Sequence, residues 1–246
     1  MIILKSATAL LTAIIMLFSA TGITELIPYL AVIPDMMKVG ADYISLGRDE
    51  NAVSEKELKK ELEKNKDKEH PFVLATKENF DVVRQERLLG EFSEYTEALN
   101  ESVLGSADAL LDLSVYPTLE YVLDEEDSIL PISREVISRM VILGCAWQMT
   151  GDEKYAERAW LELDNVCGYG DWCTGHFLAT AEMAFAVSIG YDWFFDYLTS
   201  EQKELLAETT LEYAVKPALS KNYLKNWFTW SKNNWNSICY GGIGIA

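Results

Sequence analysis

The spacing of apolar residues from Pro71 onward constrains this chain more than any other feature. They return every three or four positions in one segment after another, without the sustained period-two alternation of a half-buried strand. A first segment, capped by Thr76, runs through Phe80, Val83 and Leu88. Others follow over Tyr95 to Leu113, Arg134 to Met149, Glu153 to Val166, His176 to Tyr191 and Glu201 to Val215, and a last one opens near Asn234. Thr150-Gly151-Asp152 joins a glycine stop to an aspartate cap, and Thr199 with Gln202 makes a capping box. The fold class is therefore all-α. Links of about three to ten residues predict antiparallel helical hairpins, which either close as an (α/α) toroid or extend as a solenoid. Gly151-Asp152 with Tyr155, Ala156 and Ala159 is similar to part of a tetratricopeptide unit, but no period of about 34 residues accompanies it. The expected architecture is an incomplete (α/α) toroid.

Three regions are expected. Residues 1–22 read as a signal peptide or membrane anchor: Lys5 precedes an apolar run from Ala7 to Phe18, with small residues Ala20 and Gly22 at cleavage-compatible positions. The run is short of the ~20 residues of a spanning helix. Residues 23–69 hold a second apolar patch, Leu26 to Met37, broken by Pro28 and Pro34, and then a charged helical linker. In the linker Ser54 and Glu57 form a capping box, and Leu58 and Leu62 are the residues able to pack. Residues 70–246 form the toroid domain, expected to be truncated, because roughly three helical pairs are visible where a closed ring needs more. The protein is expected to be exported to the periplasm, cell surface or medium, with membrane attachment through the N-terminus as one form of this.

The net charge of −18 excludes non-specific nucleic-acid binding, which requires lysines and arginines against phosphate. Acids stop at Glu212, and the residues from Tyr213 to Ala246 carry four lysines and no acid. Within that tail, Trp227 to Asn236 places three tryptophans and three asparagines in ten residues. Tryptophan faces stack on pyranose rings, and asparagine amides both donate to and accept from sugar hydroxyls and carboxylates. Trp230, Lys232, Asn233, Asn234, Trp235, Asn236 and Tyr240 are thus candidate saccharide-binding residues, and Lys225 adds charge for an anionic sugar. The structural alternative is a helix N-terminus with asparagine capping and tryptophan packing, Gly241-Gly242 then permitting close helix contact.

Other chemistry-bearing residues are weighed in the same way. His176 either lines the cleft or sits in a helix-entry loop, satisfied by backbone; His70 before Pro71 is structural. Tyr191-Asp192-Trp193 ends a helix, Asp192 bonding nearby backbone. Asp171 with Glu182, or Asp192 with Asp196, would be the carboxylate pairs of a glycosidase. The run Asp124 to Asp127 reads as a solvated loop. Cys167 and Cys173 bracket a short loop that a disulfide could close, and with His176 they lack the paired spacing of a zinc site. Free, buried cysteines are expected, with no metal and no cofactor.

One ordered set of residues resembles the heparinase II/III and alginate-lyase group of polysaccharide lyases over about residues 70–246. It runs His70-Pro71, His176-Phe177-Leu178, Ala181-Glu182-Met183-Ala184, Ile189-Gly190-Tyr191-Asp192-Trp193, Asn233-Asn234-Trp235-Asn236 and Gly241-Gly242. The resemblance implies an (α/α) toroid followed by a β-sandwich, with a cleft between them for a uronic-acid polysaccharide that is cleaved by β-elimination. It assigns the neutraliser of the uronate carboxylate to the position of Asn234. Some members have histidine directly after the asparagine, where Trp235 stands here, so Asn233 and Asn236 stay open as alternatives. The family's tyrosine base and histidine acid lie further along its chain and have no counterpart before Ala246, so residues 1–246 are expected to be inactive by themselves. A toroid glycoside hydrolase and a helical-repeat scaffold are the competing expectations.

Overall fold

The computed structural model describes Lys60, Glu63 and residues 68–90, 94–219, 227–231 and 233–246. The expected leader or anchor, the Ser54–Glu57 capping box, and Lys225 and Lys232 lie outside the described residues. Of the charged linker, Lys60 and Glu63 are described, and both are helical and exposed. Asn65 to Ala246 form one compact unit. Its regular elements are helices, and no strand occurs among the described residues. They are α1 (Lys77–Leu89), α2 (Glu94–Leu110), α3 (Leu130–Thr150), α4 (Glu153–Cys167), α5 (Phe177–Trp193), α6 (Ser200–Thr210) and α7 (Asn234–Ile245). A π turn over Leu211–Val215 and a short α turn over Lys216–Ala218 extend α6, and a 3-10 turn over Trp227–Trp230 precedes α7. Among the described residues no helix is long and apolar enough to cross a membrane.

Local chemistry sets most of the boundaries. Thr76 accepts from the Asn79 amide while the Asn79 side chain accepts from Thr76, and Gly90, at φ +67°, closes α1. Gly151, at φ +69°, stops α3, and Asp152 accepts from the Lys154 N–H to start α4. The Thr199–Gln202 capping box opens α6. Two ends differ from the sequence expectation. α3 begins at Leu130 rather than Arg134, since Pro131 falls in the first turn, where its missing N–H has no helical partner to lose. α2 stops at Leu110 rather than Leu113, because the Asp112 carboxylate accepts from the Ser114 N–H and hydroxyl and turns the chain.

α5 is apolar on nearly all sides and is buried accordingly, from Phe177 to Trp193. α3 flanks it on one side and α7 on the other, while α4 and α6 also pack against it. α3 and α5 run the same way. Near their starts Ser133 Oγ donates to the Ala179 carbonyl (2.9 Å), and near their ends Gln148 Nε2 donates to the Trp193 carbonyl (2.5 Å). Gly144 allows this approach, since a Cβ there would come within 2.6 Å of the Trp193 ring. α7 follows the same direction: Trp235 meets His176 just ahead of α5, and Gly242 lies against the Ala181 carbonyl so closely that a Cβ would overlap it.

The connection from α2 to α3 has no regular structure and is held by buried side chains. Arg158, 2% exposed, donates to the carbonyls of Leu110 and Tyr116; Arg139 donates to that of Pro117. Asn165 and Tyr169 both donate to that of Leu119. Both guanidiniums also grip Oε1 of the fully buried Glu162 carboxylate, so three charges desolvate together, while Glu162 Oε2 and Arg158 Nη1 have no partner among the described residues. This anchor fixes the path by which the chain reaches the Asp124–Ser128 turn and then α3.

Candidate functional site

Because α3, α5 and α7 are parallel, their N-termini lie at one end of the layer. Their first turns share an apolar cluster: Leu130 from α3, Phe177 and Leu178 from α5, Trp235 and Ile238 from α7, with Phe228 stacked on Phe177 at 4.4 Å. α5 starts without a side-chain cap, whereas at α3 Ser128 Oγ accepts from the Leu130 N–H (3.0 Å) and Pro131 carries no N–H. Three aligned helix dipoles thus have their positive ends at one end of the layer.

The three asparagines of the tail are separated by the structure. Asn233 is the N-cap of α7: its Oδ1 accepts from the Trp235 N–H (3.0 Å) and from Ser231 Oγ (2.6 Å). Asn236 donates Nδ2 to the carbonyls of Phe228 (3.1 Å) and Thr229 (3.2 Å), tying the 3-10 turn to α7. Asn234 is exposed, and among the described residues its amide belongs to neither network. The capping alternative therefore holds for Asn233 and Asn236, and Asn234 remains able to meet a ligand. Tyr240, 53% exposed, lies a turn and a half further along α7 with its ring edge toward Phe228. Close helix contact falls to Gly242; Gly241 is exposed, and nothing stands within 4 Å of where its Cβ would be. Trp230 belongs to the 3-10 turn, but its side chain is outside the described set, as is Lys232.

His176 immediately precedes α5, with its side chain 14% exposed. Its ring meets Trp235 edge to face at 4.8 Å between centroids. Nδ1 is buried and has no partner among the described residues, and Nε2 lies 3.9 Å from Glu126 Oε2. The backbone at Glu126 is held by the Asp124 carboxylate, which accepts from the N–H groups of Glu126 (2.9 Å) and Ser128 (3.0 Å). The acidic run is solvated, as expected, and also carries one carboxylate to the histidine.

One turn further into the layer, the register that joins Leu130, Leu178 and Trp235 continues as Arg134, Glu182 and Cys239. Arg134 Nε and Nη2 donate to Glu182 Oε2 (2.9 Å) and Oε1 (3.2 Å). Burial, and next the Glu182 charge, push the Cys239 thiol up to about 12, so it stays protonated at neutral pH. Arg134 and Glu126 were not among the sequence candidates. No local pattern links Arg134 to Glu182, 48 positions away, or Glu126 to His176.

The remaining sequence candidates have structural duties. Trp172 is fully buried, donates Nε1 to the Val166 carbonyl and packs edge-on against Tyr213, so the acid-free tail starts against the core, and among its described residues those from Phe228 onward lie at the site. Lys216 pairs with Glu212. Asp171 accepts from Tyr121 Oη (2.9 Å) and the Cys173 N–H (2.6 Å), while Glu182 holds Arg134, so these two carboxylates serve separate partners. Asp192 accepts from His70 Nδ1 (2.6 Å) and from the N–H groups of Phe72 (2.9 Å) and Val73 (2.7 Å), backbone 120 positions away rather than adjacent. The four cysteines are free, and Cys167, Cys173 and Cys239 are buried. Among the described residues no cluster of His, Cys, Asp and Glu could hold a metal ion. A pocket of about 430 Å³ opens at the other end of the layer; of its titratable side chains His70 and Asp192 are bonded to each other, and Tyr191, its phenol pushed up by burial, is the third. Comparison with known protein families and with curated proteins finds no match.

Proposed function

We propose that residues 70–246 are part of an (α/α) toroid of the polysaccharide-lyase kind, and that the N-terminal end of α3, α5 and α7 binds a uronic-acid polysaccharide. The packing order supports the toroid: alternate helices lie side by side and parallel, and the helices between them pack on the same layer, as inner and outer members of hairpins would. The single observation that carries the binding reading is the division of labour among the asparagines. Two of them build the start of α7, and the third, Asn234, is presented to solvent at a surface where three helix dipoles favour an anion.

The chemistry follows from that placement. Abstraction of the C5 proton of a uronate puts negative charge on its carboxylate oxygens. An amide N–H from Asn234, aided by the α7 N-terminus, stabilises that charge as it develops and so lowers the barrier to elimination. Trp235, set edge to face with His176, offers an aromatic ring for a sugar to stack on, and Tyr240 offers a second one further along α7. The base and acid of the reaction are not assigned to any residue of this chain, and residues 1–246 alone are proposed to bind without turnover. No metal or cofactor is required by this reading.

Calorimetric titration with oligouronates tests it. Saturable binding is expected, and N234A is expected to weaken it about tenfold or more while leaving the urea midpoint in place. N233A is expected to cost about 1 kcal/mol of stability instead, as the loss of a cap does. Alginate, heparin, heparan sulfate and chondroitin, followed by the ultraviolet absorbance of a 4,5-unsaturated uronate, test the chemistry. Release of saturated sugars without that absorbance would replace the lyase reading with a glycoside hydrolase. Absence of any saccharide binding would favour the helical scaffold.

A further inference from the structure

We infer that Arg134 is an anion-recognising side chain of this site, held in place by Glu182, and that it takes a second negatively charged group of the saccharide one helical turn deeper than Asn234. The inference rests on the anionic-saccharide reading above and narrows its substrate class to chains carrying at least two acidic groups.

The position comes from the register of the layer. Leu130, Leu178 and Trp235 share the apolar cluster at the helix starts. Each has its i+4 neighbour directly below it, so Arg134, Glu182 and Cys239 form the next level, about 6 Å further along the axes. Asn234 belongs to the first level and Arg134 to the second.

The geometry of the pair leaves a fork open. Glu182 engages the side-on edge of the guanidinium, Nε and Nη2, with both carboxylate oxygens. Two of the five N–H groups are used, and those that remain include the end-on pair on Nη1 and Nη2, which matches a carboxylate or a sulfate. Exposure is distributed to suit: the Glu182 side chain is 14% exposed and the Arg134 side chain 59%, so the acid is the anchor and the guanidinium the reachable partner. As a stabilising device the pair would do little, because solvent screens an ion pair whose cation is exposed. Its bidentate hold does something else: it removes the rotamer freedom a long cation would lose on binding, and so pre-organises Arg134. Glu182 is a positioning residue in this scheme.

The test titrates the chain and its R134A, R134K and E182Q variants with three hexasaccharides: polymannuronate-derived (carboxylates only), heparin-derived (carboxylates and sulfates) and cellohexaose (neutral). R134A is expected to lose about ten- to hundredfold in affinity for an acidic hexasaccharide, with any binding of cellohexaose unchanged. R134K is expected to recover part of the loss, since an ammonium restores the charge and not the fork. E182Q is expected to weaken binding less than R134A, and all these differences should shrink as salt is raised. A loss confined to the heparin fragment assigns the second group to sulfate; an equal loss for both assigns it to carboxylate. Urea midpoints for R134A and R134K that match the parent's establish that the fold is kept. If R134A then binds both acidic hexasaccharides as the parent does, the inference is overturned and the uronate reading stands. If the parent binds neither acidic hexasaccharide, both fall together.

Discussion

The two ends of the α3–α5–α7 layer each place a histidine beside a carboxylate, and they differ in how completely the polar groups are satisfied. At the C-terminal end His70 donates to Asp192 at 2.6 Å, is stacked on Phe195 at 3.8 Å, and shares its acceptor with two backbone N–H groups. Trp193 next door donates Nε1 to the Val73 carbonyl, closing the clamp on the entering chain. At the N-terminal end His176 stands 3.9 Å from an 81%-exposed Glu126, with a buried Nδ1 that nothing accepts from or donates to among the described residues. Buried polar groups are normally paired, and the unpartnered Nδ1 of His176, at a partly open helix start, sets this end apart from the fully bonded His70–Asp192 pair. The same two residue types therefore carry opposite meanings, and only geometry separates them.

Removing Asp192 breaks this contrast from the architectural side and is expected to have the largest effect. D192A leaves two N–H groups and a histidine without their acceptor, and the expected cost is about 3 kcal/mol or more of unfolding free energy, read from urea denaturation. Affinity for oligouronate, measured well below the shifted midpoint, is expected to stay within about twofold. A loss of affinity as large as that of N234A would show that the two ends are coupled, and the contrast drawn above would fail.

Gly242 tests how firmly the site end depends on the layer beneath it. A Cβ at Gly242 meets the backbone of Ala181, which cannot rotate away, so G242A must push α7 off α5. Over-packing of this kind costs about 1–3 kcal/mol, and displacement of α7 moves Asn234 with it, so oligouronate binding is expected to fall together with stability. G241A is the control. Nothing lies within 4 Å of a Cβ there, and replacing an exposed helical glycine by alanine is expected to raise stability by about 0.5–1 kcal/mol with binding kept. Equal behaviour of the two variants would remove the close contact from the account.

The helices were legible in the sequence because their determinants are local. Thr76, Asp152 and Thr199 cap as their spacing predicts, and Gly151 stops α3 in the left-handed conformation that the chain needs there. The start of α3 was missed because a proline looks like a break, although in a first turn it is not one. In the site the sequence singled out the right segment but not the roles within it. Asn233, Asn234 and Asn236 are chemically identical, and only the bonds of Asn233 to Ser231 and Trp235, and of Asn236 to Phe228 and Thr229, set Asn234 apart. Arg134 and Glu126 act through partners 48 and 50 positions away, a separation that neither periodicity nor motif spacing encodes. The tail's charge was a weaker guide than it looked: Lys216, the tail lysine that is described, is paired with Glu212 well before the chain reaches α7.

Glu126 offers the smallest and most discriminating change at the site end. Its carboxylate lies 3.9 Å from Nε2 of His176, and the backbone that carries it is held by the Asp124 turn. An exposed pair at this distance holds the fold together by no more than a few tenths of a kcal/mol, so E126Q is expected to leave the urea midpoint unchanged. It does remove a negative charge that an incoming anion must face, and at about 4 Å in water such a charge is worth about 1 kcal/mol. Affinity for the polymannuronate hexasaccharide is therefore expected to rise roughly two- to fivefold at low salt and to return to the parent value near 1 M salt, where screening extends over about 3 Å. Cellohexaose supplies the reference, since a neutral chain feels no such repulsion. A gain for the neutral sugar as well would mean that Glu126 blocks the aromatic rings sterically, and an affinity unchanged for both would place the acidic turn outside the site.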